Sequence, residues 1–175
     1  RRPRGGSPRR RGRLAAARGA LLDRVAPVLA QTYDAVANRP AEVTATYVAD
    51  WAHEGLEAAL AASRKDDVRR GVSTVGPHRD DVDLRLAGLP SRTHASQGEQ
   101  RTLALALRLA AHRLVTERTG GSPVLVLDDV LSELDDGRSR ALLEHLPAGQ
   151  VVITTASELP SAARADSVLR IKAGE

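Results

Sequence analysis

The sequence contains no cysteine, which excludes disulfide bonds and cysteine-based zinc sites and is compatible with a reducing compartment. No apolar run approaches the roughly 18 residues of a membrane-spanning helix. The basic first residues are not followed by the apolar segment of a secretory signal. With 175 residues and 42% hydrophobic content, the chain can bury one sizeable core, so we expect one domain or one and a half.

Methionine is absent too, even at position 1, and lysine occurs only as Lys65 and Lys172. We interpret the chain as a fragment of a longer protein, and the excess of Arg and Ala over Lys as the mark of a GC-rich coding sequence. Because the two lysines follow Arg64 and Ile171, the chain has no Gly-Lys pair. The phosphate-binding loop G-x-x-x-x-G-K-[ST], which needs that pair, is therefore missing from it.

Positive charge is concentrated at the start of the chain. The net charge is +4, yet residues 1–13, RRPRGGSPRRRGR, hold seven arginines and no acid, so the remainder is net negative. Pro, Gly, Ser and Arg cannot build a core, and residues 1–13 are therefore predicted to be disordered. This segment is either a phosphate-binding arm for nucleic acid or a simple linker, and we prefer the linker.

Residues 14–71 are predicted to form a mainly helical segment. Apolar residues at helical spacing indicate a helix over 14–38, which Pro27 should kink or split. Val43–Val48 alternates as a short strand, and a second helix is expected over about 52–67. Nothing in this segment carries obvious chemistry.

A loop dense in functional groups follows. Residues 72–75 are predicted to be a strand that enters the loop 76–81, GPHRDD, and the alternation of 82–86 predicts the next strand, which ends in a turn at 88–90. The loop is either a polar hairpin tip with an internal salt bridge or a surface that faces a nucleotide or DNA. Spacing alone leaves both open.

The segment 95–101, ASQGEQR, opens a long helix predicted over 97–118. Ser96 and Glu99 have the spacing of a capping box. The helix is apolar nearly all round as far as Ala111, which predicts burial against a sheet. Its polar start, with a hydroxyl and with Gly98, suits an anion. Because a helix dipole contributes only about 0.3–1 kcal/mol at an exposed end, hydrogen bonds must supply most of the affinity.

The run PVLVLDD over 123–129 predicts a strand buried on both faces of a parallel sheet. It ends in Asp128 and Asp129, where α/β proteins place their ligands. The adjacent carboxylates suit a hydrated Mg²⁺ that carries phosphate oxygens, or else form an acidic cap for the next helix. The strand and the Asp-Asp pair alone leave both open.

The last third continues the same alternation of elements. After a turn at 132–135, Asp136 is predicted to cap a helix that runs to about 146. Residues 150–155, QVVITT, are predicted to be a buried strand that ends in hydroxyls, and 168–171 an edge strand. The predicted fold class is α/β, a mostly parallel buried sheet with flanking helices.

The order of these motifs resembles an ABC-type ATPase head of the SMC-like superfamily. SQGEQR stands as the signature motif, LVLDD as the Walker B strand, SELD as the D-loop and VVITT as the switch strand. The sequences of the segments GPHRDD, ASQGEQR and LDDVLSELD resemble those of the RecF family of recombination mediators. The resemblance covers residues 14–175 and is dense over 72–157. It implies that 72–175 form the C-terminal part of such a head, with the phosphate-binding loop upstream of this chain.

The resemblance also implies roles for individual residues. Asp128 would hold Mg²⁺ through water, and Asp129, where most relatives carry Glu, would orient the attacking water. Thr155 would occupy the usual switch-His position, which together with Asp for Glu implies slow hydrolysis. Asp135 would be the D-loop carboxylate that crosses a dimer interface. The residues implied to contact the γ-phosphate of ATP held by the opposite protomer are Ser96, Gln97, Gly98, Glu99 and Gln100.

The implied function is an ATP-gated homodimer that binds single-stranded, gapped and double-stranded DNA in replication and recombinational repair. The resemblance implies ATP and Mg²⁺ as cofactors. It also implies mediators of the RecR/RecO type as partners and the cytoplasm as the location. The intact parent would be a slow ATPase, whereas this chain alone, without the loop, is expected to be inactive. The alternatives are another SMC-like head, a non-catalytic dimerisation and DNA-binding module, or a two-metal nuclease built on Asp80, Asp81, Asp128 and Asp129.

Overall fold

The computed structural model describes residues 8–37, 39–156 and 158–171. They divide into two compact units, which we call the first unit, Arg1–Gln31 with Ala41–Ser96, and the second unit, Thr32–Pro40 with Gln97–Glu175. The predicted boundary at 71/72 therefore lies inside the first unit. Within the described ranges no helix is both long and apolar enough to cross a membrane.

Helices and strands follow one another in a mixed α/β order. The elements are α1 (Pro8–Val36), β1 (Val43–Val48), a 3₁₀ turn (Asp50–Ala52), α2 (Leu56–Arg70), β2 (Asp81–Leu86), β3 (Leu89–Pro90), α3 (Ser91–His94), α4 (Gln97–Thr119), β4 (Leu125–Asp128), a second 3₁₀ turn (Val130–Glu133), α5 (Asp136–Glu144) and β5 (Val151–Thr154). The predicted α/β class is confirmed.

Helix α1 corrects two predictions. It begins at Pro8, so residues 8–13 are helical rather than disordered, while residues 1–7 lie outside the described part of the chain. Proline in a first helical turn costs no hydrogen bond, and arginine is a good helix former. The helix also runs through Pro27, so of the predicted kink or split the split is wrong, while the kink stays a prediction. Burial of Leu29 and Tyr33 downstream stabilises those turns and offsets the cost of the proline, about 3 kcal/mol.

An antiparallel sheet in the order β1-β2-β3 forms the centre of the first unit. Strands β1 and β2 were both predicted from their alternating sequences, and they pair along their whole length, from Val43 opposite Leu86 to Val48 opposite Asp81. A tight turn leads into β3, with positive φ at both central residues, 50° at Ala87 and 77° at Gly88.

Residues 72–75 do not form the predicted strand, because side chains form hydrogen bonds with their backbone groups. The Ser73 carbonyl oxygen lies 3.0 Å from His78 Nε2 and 3.3 Å from Arg79 Nε. Thr74 donates its backbone N–H, at 2.9 Å, and its hydroxyl, at 2.7 Å, to Asp67 Oδ1 on α2. These bonds hold the segment in an irregular loop that follows Gly71 at the left-handed end of α2.

The second unit contains the parallel pair β4-β5, in which Leu125 lies opposite Val151 and Asp128 opposite Thr154. The predicted long helix is confirmed as α4, and His112 Nε2 on it lies 2.8 Å from the Pro123 carbonyl oxygen ahead of β4. The buried residues of α4 are Thr102, Leu103, Leu105, Ala106, Leu109, Ala110 and His112. The opposite face of α4 is exposed at Arg101, Ala104, Arg108 and Ala111, so the helix buries one side only.

The sheet β4-β5 is buried on one face only, against the prediction of two buried faces. Leu125 and Leu127 are buried, whereas Val126 between them is 60% exposed and Val152 on β5 is 42% exposed. Successive side chains of a strand point to opposite faces, so the described chain covers a single side of this sheet. Residues 168–171 also fail as a predicted edge strand, because β5 is paired with β4 alone and they join neither strand.

The burial of Leu142 generates a stability prediction. Leu142 on α5 is 0% exposed and Leu169 is 88% exposed. Leu142→Ala should lower the free energy of unfolding by about 2–5 kcal/mol, because it removes buried methyl groups and leaves a cavity. The matched change Leu169→Ala should stay within about 0.5 kcal/mol. Urea denaturation measures both, and equal losses would contradict the burial described for α5.

The bonds to Asp67 generate a pH prediction. The hydroxyl and then the backbone N–H of Thr74 hold the pKa of Asp67 below its ordinary value. The stability from this lowered pKa is present above the pKa of the unfolded chain and is lost as pH falls through the lower folded pKa. Thr74→Val should raise the pKa of Asp67, as carboxyl NMR titration would measure. Ser63→Ala, which removes a weaker bond of 3.5 Å, should change it less. An unchanged pKa in Thr74→Val would refute the assignment.

Candidate functional site at the carboxyl end of strand 4

The carboxyl end of β4 brings Asp128 beside a hydroxyl on β5. The parallel register pairs Asp128 with Thr154, and the Thr154 hydroxyl donates a hydrogen bond to Asp128 Oδ1. Parallel strands end at the same edge of a sheet, which is where open α/β sheets bind their ligands. Asp128 is exposed there. An oriented carboxylate therefore faces solvent at the ligand edge of the sheet.

Asp129 bends the chain sharply out of β4. Its backbone is left-handed, with φ 51° and ψ 21°, a conformation that costs an ordinary residue about 1–2 kcal/mol but that Asp and Asn adopt more readily. The Asp129 N–H donates to the Thr154 carbonyl at 3.0 Å and lies 3.2 Å from the Thr154 hydroxyl. Its own carbonyl accepts from the Ser132 hydroxyl at 2.8 Å. These bonds fix the bend and keep Asp129 next to Asp128 at the sheet edge.

Thr154 is a residue that the sequence reasoning missed. The sequence offers Thr154 and Thr155 side by side, and the resemblance assigned a role to Thr155 alone. Thr155 follows the end of β5 and is half-buried, and its implied role stays a prediction. Aligning LVLD with VVIT as equal parallel strands would have put Thr154 opposite Asp128, but sequence does not determine that register.

The chemistry of Asp128 fits Mg²⁺. Mg²⁺ prefers oxygen ligands and is usually held by one or two carboxylates together with water and phosphate oxygens. The Thr154 hydroxyl occupies Oδ1 of Asp128, so Oδ2 can face a hydrated cation. Among the residues with described coordinates, no three His, Asp or Glu side chains gather as a metal site. The arrangement therefore fits a cation that arrives with phosphate better than a metal enclosed by protein ligands.

Asp80 is occupied by structural hydrogen bonds. Its Oδ2 accepts from the Tyr47 hydroxyl and its Oδ1 accepts from Trp51 Nε1 at 2.7 Å. Burial first, and then the bond to Asp80, raises the pKa of Tyr47. The neighbouring Asp81 lies 3.6 Å from Arg92. Side-chain partners thus engage both carboxylates of the loop 76–81, which argues against them as metal ligands of a nuclease. Because residues 72–75 form no strand, the loop is not the tip of a hairpin.

The signature segment occupies the first turn of α4 and the residue before it. Ser96, Gln97 and Gln100 are exposed, while Gly98 and Glu99 are half-buried. A Cβ atom at Gly98 would lie 2.6 Å from Arg138 Nη1, too close for any side chain unless the arginine moves. Glycine at this position therefore makes room for a guanidinium of the same unit.

Asp135 caps α5 in place of the predicted Asp136. Its Oδ1 accepts from the Arg138 N–H at 2.9 Å, and its Oδ2 lies 3.3 Å from Arg138 Nη1. Asp135 has the extended backbone of an N-cap, whereas Asp136 is already helical. Arg138 thus touches both the D-loop and the signature turn. The sequence analysis missed it, although the i, i+3 spacing from Asp135 was a usable signal.

Comparison with known proteins identifies relatives of one kind. No family model matches the chain. Curated relatives described as DNA replication and repair protein RecF are 44% identical over 119 residues in Streptomyces avermitilis, 43% over 129 in Kineococcus radiotolerans and 42% over 161 in Frankia alni. These matches cover 68%, 70% and 83% of this chain. The chain spans only 32%, 33% and 42% of the relatives' lengths.

Solved structures agree with the sequence relatives. The recombination mediator protein RecF-ATPrS in the RecFOR pathway matches with a TM-score of 0.76 at 30% identity, over 94% of this chain and 46% of that one. The corresponding RecF-ATP structure matches with a TM-score of 0.70 at 30% identity, over 86% and 43%. The predicted resemblance and the predicted ABC-type head are therefore confirmed, and the chain belongs, over the part that it spans, to the RecF family.

Proposed function

We propose that this chain is part of an ATP-gated, DNA-binding homodimer of the RecF type that acts in DNA replication and recombinational repair. The observation that carries the proposal is the β4-β5 register, which holds Asp128 against Thr154 and fixes Asp129 beside it. The descriptions of the relatives as DNA replication and repair proteins, and of the solved structures as RecF with ATP, support it.

In this proposal the two carboxylates have different tasks. Asp128, oriented by Thr154, accepts hydrogen bonds from the water shell of Mg²⁺. When bound there, Mg²⁺ would supply positive charge to the phosphate oxygens. Asp129 accepts a hydrogen bond from the attacking water and orients it. Asp is one carbon shorter than the Glu of most ABC-type heads, and Thr155 replaces an imidazole, so hydrolysis is slow and times the release of the dimer.

The signature turn and the D-loop act on the partner's nucleotide. Ser96 and Gly98 lie at the start of α4, where the positive end of the helix dipole favours an anion, which suits the γ-phosphate held by the opposite protomer. Asp135, at the start of α5, reaches across the interface. Binding of ATP thereby closes the homodimer, and hydrolysis opens it.

DNA is the proposed partner of the closed dimer, as single-stranded, gapped or double-stranded substrate. Helix α1 exposes Arg10 and Arg13, which can contact phosphates without reading sequence. Mediators of the RecO and RecR type are proposed as loading partners because the solved relatives belong to the RecFOR pathway. A cytoplasmic location follows from such a role.

Ser96→Arg tests the action in trans. In the full-length protein the change should block ATP-driven dimerisation, since a bulky cation would occupy the place of the partner's γ-phosphate. Nucleotide binding by the monomer should stay nearly unchanged. Sedimentation with and without ATP, together with calorimetric nucleotide binding, measures both. Ser161→Arg, at another exposed serine, is the matched control. Loss of monomer binding in Ser96→Arg would contradict the trans assignment.

The pair Asp129→Asn and Asp128→Asn tests the two tasks. Asn tolerates the left-handed backbone of Asp129, so the first change removes charge without disturbing the bend. Hydrolysis should fall by about 10²–10⁴-fold while ATP affinity barely changes, and the dimer and its DNA complex should last longer. Asp128→Asn should also weaken Mg²⁺-dependent nucleotide binding.

Turnover and nucleotide affinity of the full-length variants separate the alternatives. Asp136→Asn, an exposed neighbour in α5, serves as the control. If both carboxylates merely capped the following turn, each Asn would be nearly silent, because Asn is itself a good cap. Equal, mild effects of the two changes would end the catalytic interpretation and favour a non-catalytic binding module.

A further inference from the structure

Arg138 has no role in the proposed reaction, yet it touches two of its motifs. It lies in the first turn of α5, and its side chain is only 22% exposed. Its Nη1 lies 3.3 Å from Asp135 Oδ2 and packs over Gly98 at the start of α4. The D-loop carboxylate and the signature turn come from different elements of the second unit, and this guanidinium joins them.

The place of this charge is not explained by helix stability. A cation near a helix N-terminus is unfavourable, and Arg138 lies both in the first turn of α5 and beside the first turn of α4. Its Nε is buried without a hydrogen-bond partner among the described residues, a condition that costs about 1–3 kcal/mol. Asp135 compensates only part of this cost. A charge placed against both of these costs suggests a functional constraint.

Charges from α4 and α5 both act on the phenol of Tyr33. The pKa of the buried Tyr33 is raised by burial first and then by Glu99, while Arg138 lowers it. The charge of Arg138 is therefore felt inside the second unit as well as at its surface.

We propose that Arg138 is a positioning residue that sets the spacing between the Asp135 carboxylate and the Gly98 turn, so that both reach the partner's nucleotide together. The inference rests on the proposed function, because it assumes that these motifs act across a dimer. A rigid guanidinium suits this task better than a point charge, since its Nη1 lies both against Gly98 and beside Asp135. Gly98 leaves the space that Nη1 occupies.

Arg138→Gln in the full-length protein tests the inference. It should weaken ATP-dependent dimerisation about tenfold, a typical coupling between groups in contact, while ATP affinity of the monomer stays within about twofold. Arg138→Lys should recover part of the dimerisation, because it keeps the charge but not the fork. Arg140→Gln, at an exposed arginine of the same helix, is the matched control and should change neither quantity.

A double-mutant cycle with Asp135→Asn separates positioning from general packing. If Arg138 acts through Asp135, the double variant should lose little more ATP-dependent dimerisation than the single variant with the larger loss. Additive losses, or a parallel fall in monomer ATP affinity and melting temperature, would overturn the inference in favour of a purely structural role. Arg138→Gln that dimerises like Arg140→Gln would overturn it too. Failure of the unaltered protein to dimerise with ATP would instead refute the proposed function, and the inference with it.

Discussion

The parallel register of β4 and β5 is the constraint on which the candidate site depends. It sets Thr154 opposite Asp128, and the same threonine then supplies the carbonyl and hydroxyl that hold the bend at Asp129. A shift by one residue would turn every side chain of β5 to the other face and remove the hydroxyl from Asp128. The adjacent residues Asp128 and Asp129 therefore have different hydrogen-bond environments.

The hydrogen-bond partners of each aspartate indicate whether its carboxylate has a structural or a functional role. Asp80 accepts from two aromatic donors, which anchor the loop 76–81, and Asp67 accepts from Thr74. Asp128 instead is exposed at the edge of a parallel sheet, with a single hydroxyl to orient it. Asp135 combines both kinds of task, since it caps α5 and meets Arg138. In sequence all of these residues are simply aspartates near a turn.

Much of the second unit could be predicted because its signals are local. The run of Leu and Val in β4, the long apolar α4 and the motif order SQGEQR, LVLDD and SELD were sufficient for the α/β class and the family. The failures concern interactions between elements. Residues 1–13 were judged by composition, but 8–13 extend a helix. Val126 was expected to be buried because a strand of this composition is usually covered on both faces, and here one face lacks its layer.

The sequence by itself determined the α/β class, the acidic pair at the end of β4, the glycine-containing start of α4 and the missing Gly-Lys pair. These features depend on residue type and local spacing, which a sequence displays directly. Only the tertiary structure decided that Thr154 meets Asp128, that Asp135 caps α5, and that Arg138 contacts Gly98. Each of these contacts depends on strand register or on helix packing, and many registers are compatible with the same local preferences.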